Sequence, residues 1–250
     1  HLLVMTATPI PRTLGLTLYG DLDCSVIDEL PAGRGKINTY VRTPSSRDKI
    51  ITFIKEQVSS GRQAYVIFPR VENEDPNIGI KAVKAESKRL SKEFHTHKVG
   101  ILHGRLKPDE KAQVMAEFRE NRIQVLLSTT VVEVGVDVPN ANLMLIENAD
   151  QFGLAQLHQL RGRIGRGEHE SYCILLTTDK SNHPNEKLKV LEETNDGFKV
   201  AEADLQLRGP GELTGHDQSG LPNFLFGDLR RDLELIQLAR NLAREIEAGS

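Results

Sequence analysis

The chain contains 250 residues, of which 38% are apolar and 27% are charged, and its formal net charge is −3. This balance supports a folded protein with a hydrophobic core, and no apolar run approaches the ~20 residues of a membrane-spanning helix. The slight acidic excess gives no global support for nucleic-acid binding, so any such site must be a local patch. The two cysteines, Cys24 and Cys173, supply neither a disulfide framework nor metal-ligand spacing, which favours a reducing cytoplasm.

The first residues open directly on a strand-like run and do not begin with methionine. They also lack the basic start and the long apolar run of a signal peptide. We therefore expect the chain to be a piece of a longer polypeptide.

Strand-like and helix-like segments alternate through the first part of the chain. Short apolar runs predict strands at residues 2–6, 24–27, 39–42, 64–68, 99–102, 125–128, 142–146 and 171–177. Apolar residues at helical spacing predict helices at residues 11–19, 46–59, 80–94, 108–120 and 154–160. The alternation predicts an α/β fold, in which helices cover both faces of a parallel sheet. Ligands of such sheets sit at the carboxyl ends of strands, so residues that follow strands are the first candidates for a site.

The pattern changes beyond residue 179. Helices are predicted at residues 187–194 and 229–246, with no further strand. Between them, Arg208 is followed by Gly209, Pro210 and Gly211, and we expect a non-helical backbone there. A domain boundary is therefore predicted near residues 180–185.

Residues 156–168 carry the strongest chemical signal. Arg161, Arg163 and Arg166 are interleaved with three glycines at the end of a predicted helix. Glycine permits tight turns, and the planar guanidinium matches phosphate oxygens, so the segment suits a polyphosphate. A solvated basic loop explains the same residues equally well when they are considered alone.

A second signal lies upstream, in residues 126–139. A buried strand ends in Ser128, Thr129 and Thr130, and a short turn then ends in Gly135-x-Asp137. Hydroxyls and backbone N–H groups after a strand can hold a phosphate, and the carboxylate can accept from a ribose hydroxyl. Taken alone, a hydroxyl-rich turn with a capping aspartate is the better interpretation.

The order and spacing of the two segments resemble motifs V and VI of superfamily 2 helicases, and residues 6–8 resemble motif III. Within the superfamily the closest resemblance is to the RecG helicases. The stretches that carry it are residues 4–13, 26–31, 191–198, 204–212 and 218–222. The resemblance implies a RecA-like C-terminal helicase lobe followed by a mainly helical extension. It divides the chain into the end of the first lobe and a linker (1–37), the second lobe (38–182) and the extension (183–250).

The resemblance also implies a role for each matched residue. Arg163 and Arg166 would be arginine fingers that reach the γ-phosphate of ATP across a cleft. Further nucleotide contacts would come from Gly135, Asp137 and Gln159.

Other matched positions imply DNA contact and coupling. Thr129 and the element His103-Gly104-Arg105 would contact the DNA backbone. The coupling residues, some of them in the extension called TRG that RecG shares with the Mfd translocase, would be Thr6, Thr8, Arg208, Gly209, Gly211 and Gln218. Asp217 stands where RecG proteins usually carry a basic residue. If that basic residue touches a DNA phosphate, this chain grips DNA differently there; the alternative is that the position tolerates either charge.

The implied activity is ATP-dependent remodelling of branched or duplex DNA, such as stalled forks and Holliday junctions, in recombination and repair. ATP and Mg²⁺ would be the cofactors, but the sequence has no Gly-x-x-x-x-Gly-Lys-Ser/Thr loop, and Asp28-Glu29 does not follow one. The metal ligands are thus expected outside this chain, which alone should be inactive. The implied partners are the missing first lobe and wedge domain of the same polypeptide, in a monomer near the bacterial nucleoid.

Two alternatives remain. The first is an Mfd-type translocase that removes stalled polymerase, although residues 26–31 and 165–168 fit RecG better. The second is a non-catalytic DNA-binding module derived from a helicase lobe, against which the intact Arg163 and Arg166 speak.

Overall fold

A computed structural model describes residues 35–69, 77–129, 137–179 and 185–212, with isolated positions toward both ends. The chain divides into two compact units, one formed by Leu30–Asn195 and the other by His1–Glu29 together with Asp196–Ser250. The segments predicted at residues 2–6, 11–19 and 24–27 lie, apart from single positions, outside the described residues.

Six parallel strands form one sheet in the first unit. They are β1 (Ile37–Arg42), β2 (Gln63–Phe68), β3 (Val99–Leu102), β4 (Val125–Thr129), β5 (Ala141–Ile146) and β6 (Ser171–Leu176). Their order across the sheet is β1-β6-β5-β2-β4-β3, and every neighbouring pair is parallel. The predicted α/β fold is confirmed.

The ranges that the structure describes contain six α-helices, of which the last belongs to the second unit. They are α1 (Arg47–Ser59), α2 (Asn77–Glu93), α3 (Pro108–Arg119), α4 (Leu154–Arg161), α5 (Glu186–Glu193) and α6 (Gly197–Glu212). Local residues explain several starts: α3 begins at a proline, and the Glu110 carboxylate accepts from the Lys107 backbone N–H at 2.8 Å. Asn185 caps α5, since its side chain accepts from the Leu188 N–H. None of the described helices has the length and apolarity needed to cross a membrane.

The core lies between the central strands and the helices that cover them. Every residue of β4 and β5 is buried, as expected for strands with both faces covered. On α1 the apolar side chains share one face, and Ile54 is fully buried. Each such aliphatic side chain contributes ~1.5–3 kcal/mol to stability through burial. The rigid sheet fixes where the connecting loops emerge.

One prediction about the backbone is wrong. Helix α6 runs through Arg208 to Glu212, whereas the sequence predicted a non-helical segment around Arg208. The preceding residues 201–207 are mostly good helix formers, and they carry the helix forward. Gly209 and Pro210 fall only in its last turn, where the missing proline N–H removes a single hydrogen bond.

The first unit continues past residue 182, the predicted end of the lobe, to Asn195. Contacts from α5 to the sheet account for this: the Glu192 carboxylate accepts from the Val41 N–H of β1 at 3.1 Å. The functional division into regions 1–37, 38–182 and 183–250 stays a prediction.

Candidate functional site

Residues predicted to contact DNA lie together at the carboxyl edge of the sheet. Thr129 ends β4, and His103 follows β3, the neighbouring strand, in which Leu102 pairs with Ser128. Thr129 and His103 are 7% and 8% exposed, whereas Gly104 and Arg105 are exposed. The ends of two neighbouring strands therefore lead to the exposed Arg105 on one side and to the Thr129 hydroxyl on the other.

The arginines occupy the opposite, amino edge. Helix α4 runs back along the sheet, and residues 162–167, here called the arginine loop, lead from it toward the start of β6. Asp137 reaches the same edge, because it precedes β5. The Arg166 Nη1 atom lies 3.6 Å from Asp137 Oδ1, and its Nε donates to the Gly162 carbonyl at 3.3 Å. The structure thus brings together two of the residues predicted to bind nucleotide.

Tyr65 on β2 carries a buried hydroxyl whose pKa is sensitive to these charges. Its side chain is buried and packs on the Phe118 ring, with centroids 4.9 Å apart. Burial raises the pKa of the Tyr65 hydroxyl above its ordinary value, while the positive charges of Arg163 and Arg166 oppose the shift and Asp137 adds to it. All three charged residues therefore act on one buried hydroxyl, a relationship for which the sequence offered no signal.

Close packing fixes the backbone of the arginine loop. Gly165 has φ +74°, and a Cβ there would lie 2.6 Å from Cγ1 of Ile37. A Cβ on Gly167 would lie 2.7 Å from the Pro139 carbonyl oxygen. Neither position accommodates a side chain, so glycines on both sides of Arg166 let the loop lie directly against the start of β1 and the residues before β5.

Arg161 differs from the other two arginines of the motif. It is 3% exposed and donates to the carbonyls of Leu191 at 2.7 Å and Thr194 at 2.9 Å. Arg161 therefore differs from Arg163 and Arg166, the two arginines predicted to reach the γ-phosphate, because backbone carbonyls occupy its guanidinium. The sequence could not show that Arg161 is buried, because its acceptors, Leu191 and Thr194, lie about 30 residues further along the chain.

A partly buried charge cluster at the carboxyl edge had no counterpart in the sequence analysis. The Arg47 Nη2 atom lies 2.8 Å from Glu147 Oε1 and 2.6 Å from Glu86 Oε1. Burial raises the pKa of the Glu147 carboxyl, and Arg47 opposes this shift. The cluster joins Arg47, the first residue of α1, and Glu86 on α2 to Glu147, which directly follows β5. Its members are far apart in sequence, so no local motif announces it.

Most of the remaining predicted residues lie where the structure describes no side chain. Thr6, Thr8, Gly135 and Gln218 lie outside the described residues. Only the backbone of Arg208, Gly209 and Gly211 is described, within α6. Gln159 is exposed on α4. The roles predicted for these residues stay predictions.

Two family models match successive parts of the chain. The family model "Helicase conserved C-terminal domain" matches residues 46–168, and "ATP-dependent DNA helicase RecG, domain 3, C-terminal" matches residues 194–249. A protein named ATP-dependent DNA helicase RecG from Synechocystis sp. is 54% identical over 97% of this chain. The chain belongs to the RecG family. The RecG of Bacillus subtilis is 50% identical over 99% of the chain.

A solved RecG structure is similar to this chain in both fold and sequence. The structure titled "Structure of RecG bound to three-way DNA junction" covers 92% of the chain, with a TM-score of 0.71 and 47% identity. The chain spans about a third of the RecG proteins it matches: 29% of the Synechocystis protein, 36% of the Bacillus protein and 30% of the solved one.

Proposed function

We propose that this chain is the second motor lobe and coupling extension of an ATP-dependent DNA helicase. In the complete protein it supplies two arginines to ATP that another lobe grips. The observation that carries the proposal is the arginine loop, where Arg166 lies between two tightly packed glycines and pairs with Asp137. The RecG names of its relatives support the same activity.

The proposed chemistry is charge stabilisation. As the γ-phosphoryl group transfers, negative charge develops on oxygens that a fixed guanidinium can neutralise, and such fingers contribute ~10³–10⁵ in rate. The Asp137–Arg166 pair is partly exposed and therefore weak, so a phosphate can replace the carboxylate as the partner of Arg166. Asp137 is then able to accept from a ribose hydroxyl. Gln159 and Gly135 complete the proposed nucleotide contacts.

ATP requires Mg²⁺, and we assign its ligands to the first lobe of the complete protein. The cationic donors at the amino edge fit phosphate oxygens and not a cation. Their glycine-lined backbone allows a polyphosphate to approach closely. Within this chain the proposed task is therefore to bind and orient phosphates, and to stabilise charge there.

We propose that the carboxyl edge binds the DNA backbone. Arg105 supplies an exposed cation two residues after His103, and β3, which precedes them, pairs with the strand that ends in Thr129. This set of donors suits phosphates and not base edges. Branched DNA is the proposed substrate, since a relative was solved on a three-way junction. Fork and junction remodelling in bacterial repair and recombination follows from this substrate, in a monomer close to the nucleoid.

The proposed coupling elements lie at the two ends of the chain. Thr6 and Thr8 would couple the nucleotide state to DNA grip, and the residues around Arg208 and Gln218 would convert lobe closure into movement along duplex DNA. The proposed partners are the first lobe and the wedge domain. The match of residues 194–249 to the RecG domain 3 model favours this function over an Mfd-type translocase.

The test compares two arginine substitutions in the complete protein. Arg163→Ala and Arg166→Ala should each lower DNA-stimulated ATP turnover at least ~10³-fold while ATP affinity changes little. Arg122→Ala is the control, because Arg122 is exposed and pairs with Glu120 away from the arginine loop. Turnover near the wild-type rate in both alanine variants of the loop would remove the proposed finger role.

A separate measurement concerns the 250-residue chain alone. Without a P-loop it should hydrolyse ATP at background level, with or without branched DNA. Robust DNA-stimulated turnover by the purified chain would contradict the assignment of ATP binding to another lobe.

A further inference from the structure

Arg161 is a buried cation that is held by neutral acceptors. Its Nη1 atom donates to the carbonyls of Leu191 and Thr194, and more weakly to Thr39 Oγ1 at 3.4 Å. The His158 Nδ1 atom lies 3.0 Å from Nη2. Across the ranges that the structure describes, no ion pair joins Arg161 to a carboxylate. Burying a charge is costly unless hydrogen bonds satisfy it, so this geometry has to be specific.

The carbonyl end of α5 provides those hydrogen bonds. The last four carbonyls of a helix lack partners within it and carry partial negative charge. Leu191 lies in the last turn of α5, and Thr194 directly follows the helix. A guanidinium spans both oxygens with separate N–H groups, whereas a lysine ammonium is a compact point donor. Arg161 therefore caps α5 from outside it.

Arg161 is also the last residue of α4, so Gly162 and the arginine loop follow it directly. Arg161 binds residues 191–194, which lie at the end of the first unit. The chain enters the second unit at Asp196. One side chain thus connects the start of the arginine loop to the end of the first unit.

We propose that Arg161 is a positioning residue that makes the arginine loop and residues 191–194 move together. A shift of the loop on nucleotide binding then displaces the carbonyl end of α5 and, through it, the segment that leads into the extension. The proposal that the two segments move together on nucleotide binding rests on the proposed function of the arginine loop. The link itself rests only on the hydrogen bonds.

The first experiment measures the link in the 250-residue chain by amide hydrogen exchange. Two amides report it: the Arg163 N–H, which donates to Leu160, and the Thr194 N–H, which donates to Val190. In Arg161→Lys and Arg161→Met, both amides should exchange at least ~10-fold faster while β4 and β5 stay protected. Arg163→Met, two residues away, should leave Thr194 unchanged.

Unchanged exchange at Thr194 in a folded Arg161 variant would overturn the link. If both Arg161 variants unfold, Thr39→Val serves instead, because it removes one acceptor and leaves the cation in place. It should accelerate exchange at the same two amides by a smaller factor, and no change at either would also overturn the link.

The second experiment uses the complete protein with AMP-PNP and Mg²⁺. In the wild type, the analogue should change exchange at both the arginine loop and Thr194. In Arg161→Lys the response of the loop should remain and that of Thr194 should vanish, and kcat should fall with little change in KM. If Arg161 were only a structural cap, Arg161→Lys would lower stability without separating the response of the loop from that of Thr194. A response of Thr194 that persists in Arg161→Lys would overturn the coupling.

Failure of the proposed function gives a different result. The analogue would then leave the arginine loop of the wild type unchanged, and Arg163→Ala would keep its turnover. That outcome overturns the proposal that the two segments move together. The exchange data from the isolated chain decide separately whether Arg161 links the arginine loop to residues 191–194.

Discussion

The guanidinium of Arg166 is paired with the carboxylate of Asp137, with Nη1 and Oδ1 3.6 Å apart and the two side chains 32% and 57% exposed. Exposed pairs of this kind contribute only ~0–1 kcal/mol. The pair therefore holds Arg166 weakly, which is what the proposed phosphate contact of Arg166 requires.

Asp137→Asn tests this weakness. The free energy of unfolding of the chain, from urea denaturation, should fall by less than ~1 kcal/mol, and the loss should vanish at high salt. Arg166→Gln should give the same small change. A loss above ~2 kcal/mol in either variant would mean that the pair stabilises the arginine loop after all.

Gly165→Ala should destabilise the chain by ~1–3 kcal/mol, because alanine is strained at φ +74° and its Cβ would lie 2.6 Å from Ile37. Gly61→Ala is a matched control, since Gly61 has φ +88° but nothing within 4 Å of the added Cβ. Urea denaturation should show a smaller loss for Gly61→Ala. Equal losses would show that backbone strain alone, and not contact with β1, requires glycine at position 165.

Glu147 should make stability depend on pH. Burial raises its folded pKa above the unfolded value, so the folded state binds more protons between the two values. Its contribution is fully present below the unfolded pKa, ~4.3, and is lost as pH rises through the folded pKa. The stability of the wild type relative to Glu147→Gln should therefore decrease as pH rises from 4 toward neutrality. Urea denaturation at several pH values measures this, and an increase would contradict the assigned direction.

Arg105→Ala should weaken binding of branched DNA by the complete protein and reduce the slope of log K against log salt by ~1. Fluorescence anisotropy over a salt series measures both effects. Arg122→Ala is the control, because Arg122 is equally cationic but precedes β4 at the amino edge. Equal effects of the two substitutions would show that nonspecific charge, and not the carboxyl edge, governs binding.

Arg208→Ala in the complete protein should keep DNA-stimulated ATP hydrolysis and lose most fork unwinding. The decisive quantity is the amount of DNA unwound per ATP consumed, compared at matched DNA occupancy because weaker binding alone lowers both activities. An unchanged ratio would remove Arg208 from the coupling path.

Local patterns predicted the sheet well because buried parallel strands are short apolar runs between amphipathic helices. Strand β3 has the predicted bounds, and α4 differs by a single end residue. The helix through Arg208 was missed because Gly and Pro are strong local stop signals, whereas the residues before them continue the helix.

The site was only partly predictable. Motif spacing predicted roles for Arg163, Arg166 and Asp137, and the structure places Arg166 beside Asp137. The spacing could not show that the Arg161 side chain is buried, since that depends on where α5 ends. The contact between Arg47 and Glu147 likewise depends on the order of strands in the sheet, which no local pattern encodes.

The opposite positions of the two residue groups on the sheet have a mechanical consequence. A strand of six residues such as β2 is about 20 Å long, so no side chain reaches from the arginine loop to Thr129. Hydrogen-bonded strands neither stretch nor bend appreciably over this length. Under the proposed function the lobe therefore turns as one rigid body: a small rotation of the amino edge, which carries the arginine loop, turns the carboxyl edge, which carries Thr129, through a similar angle.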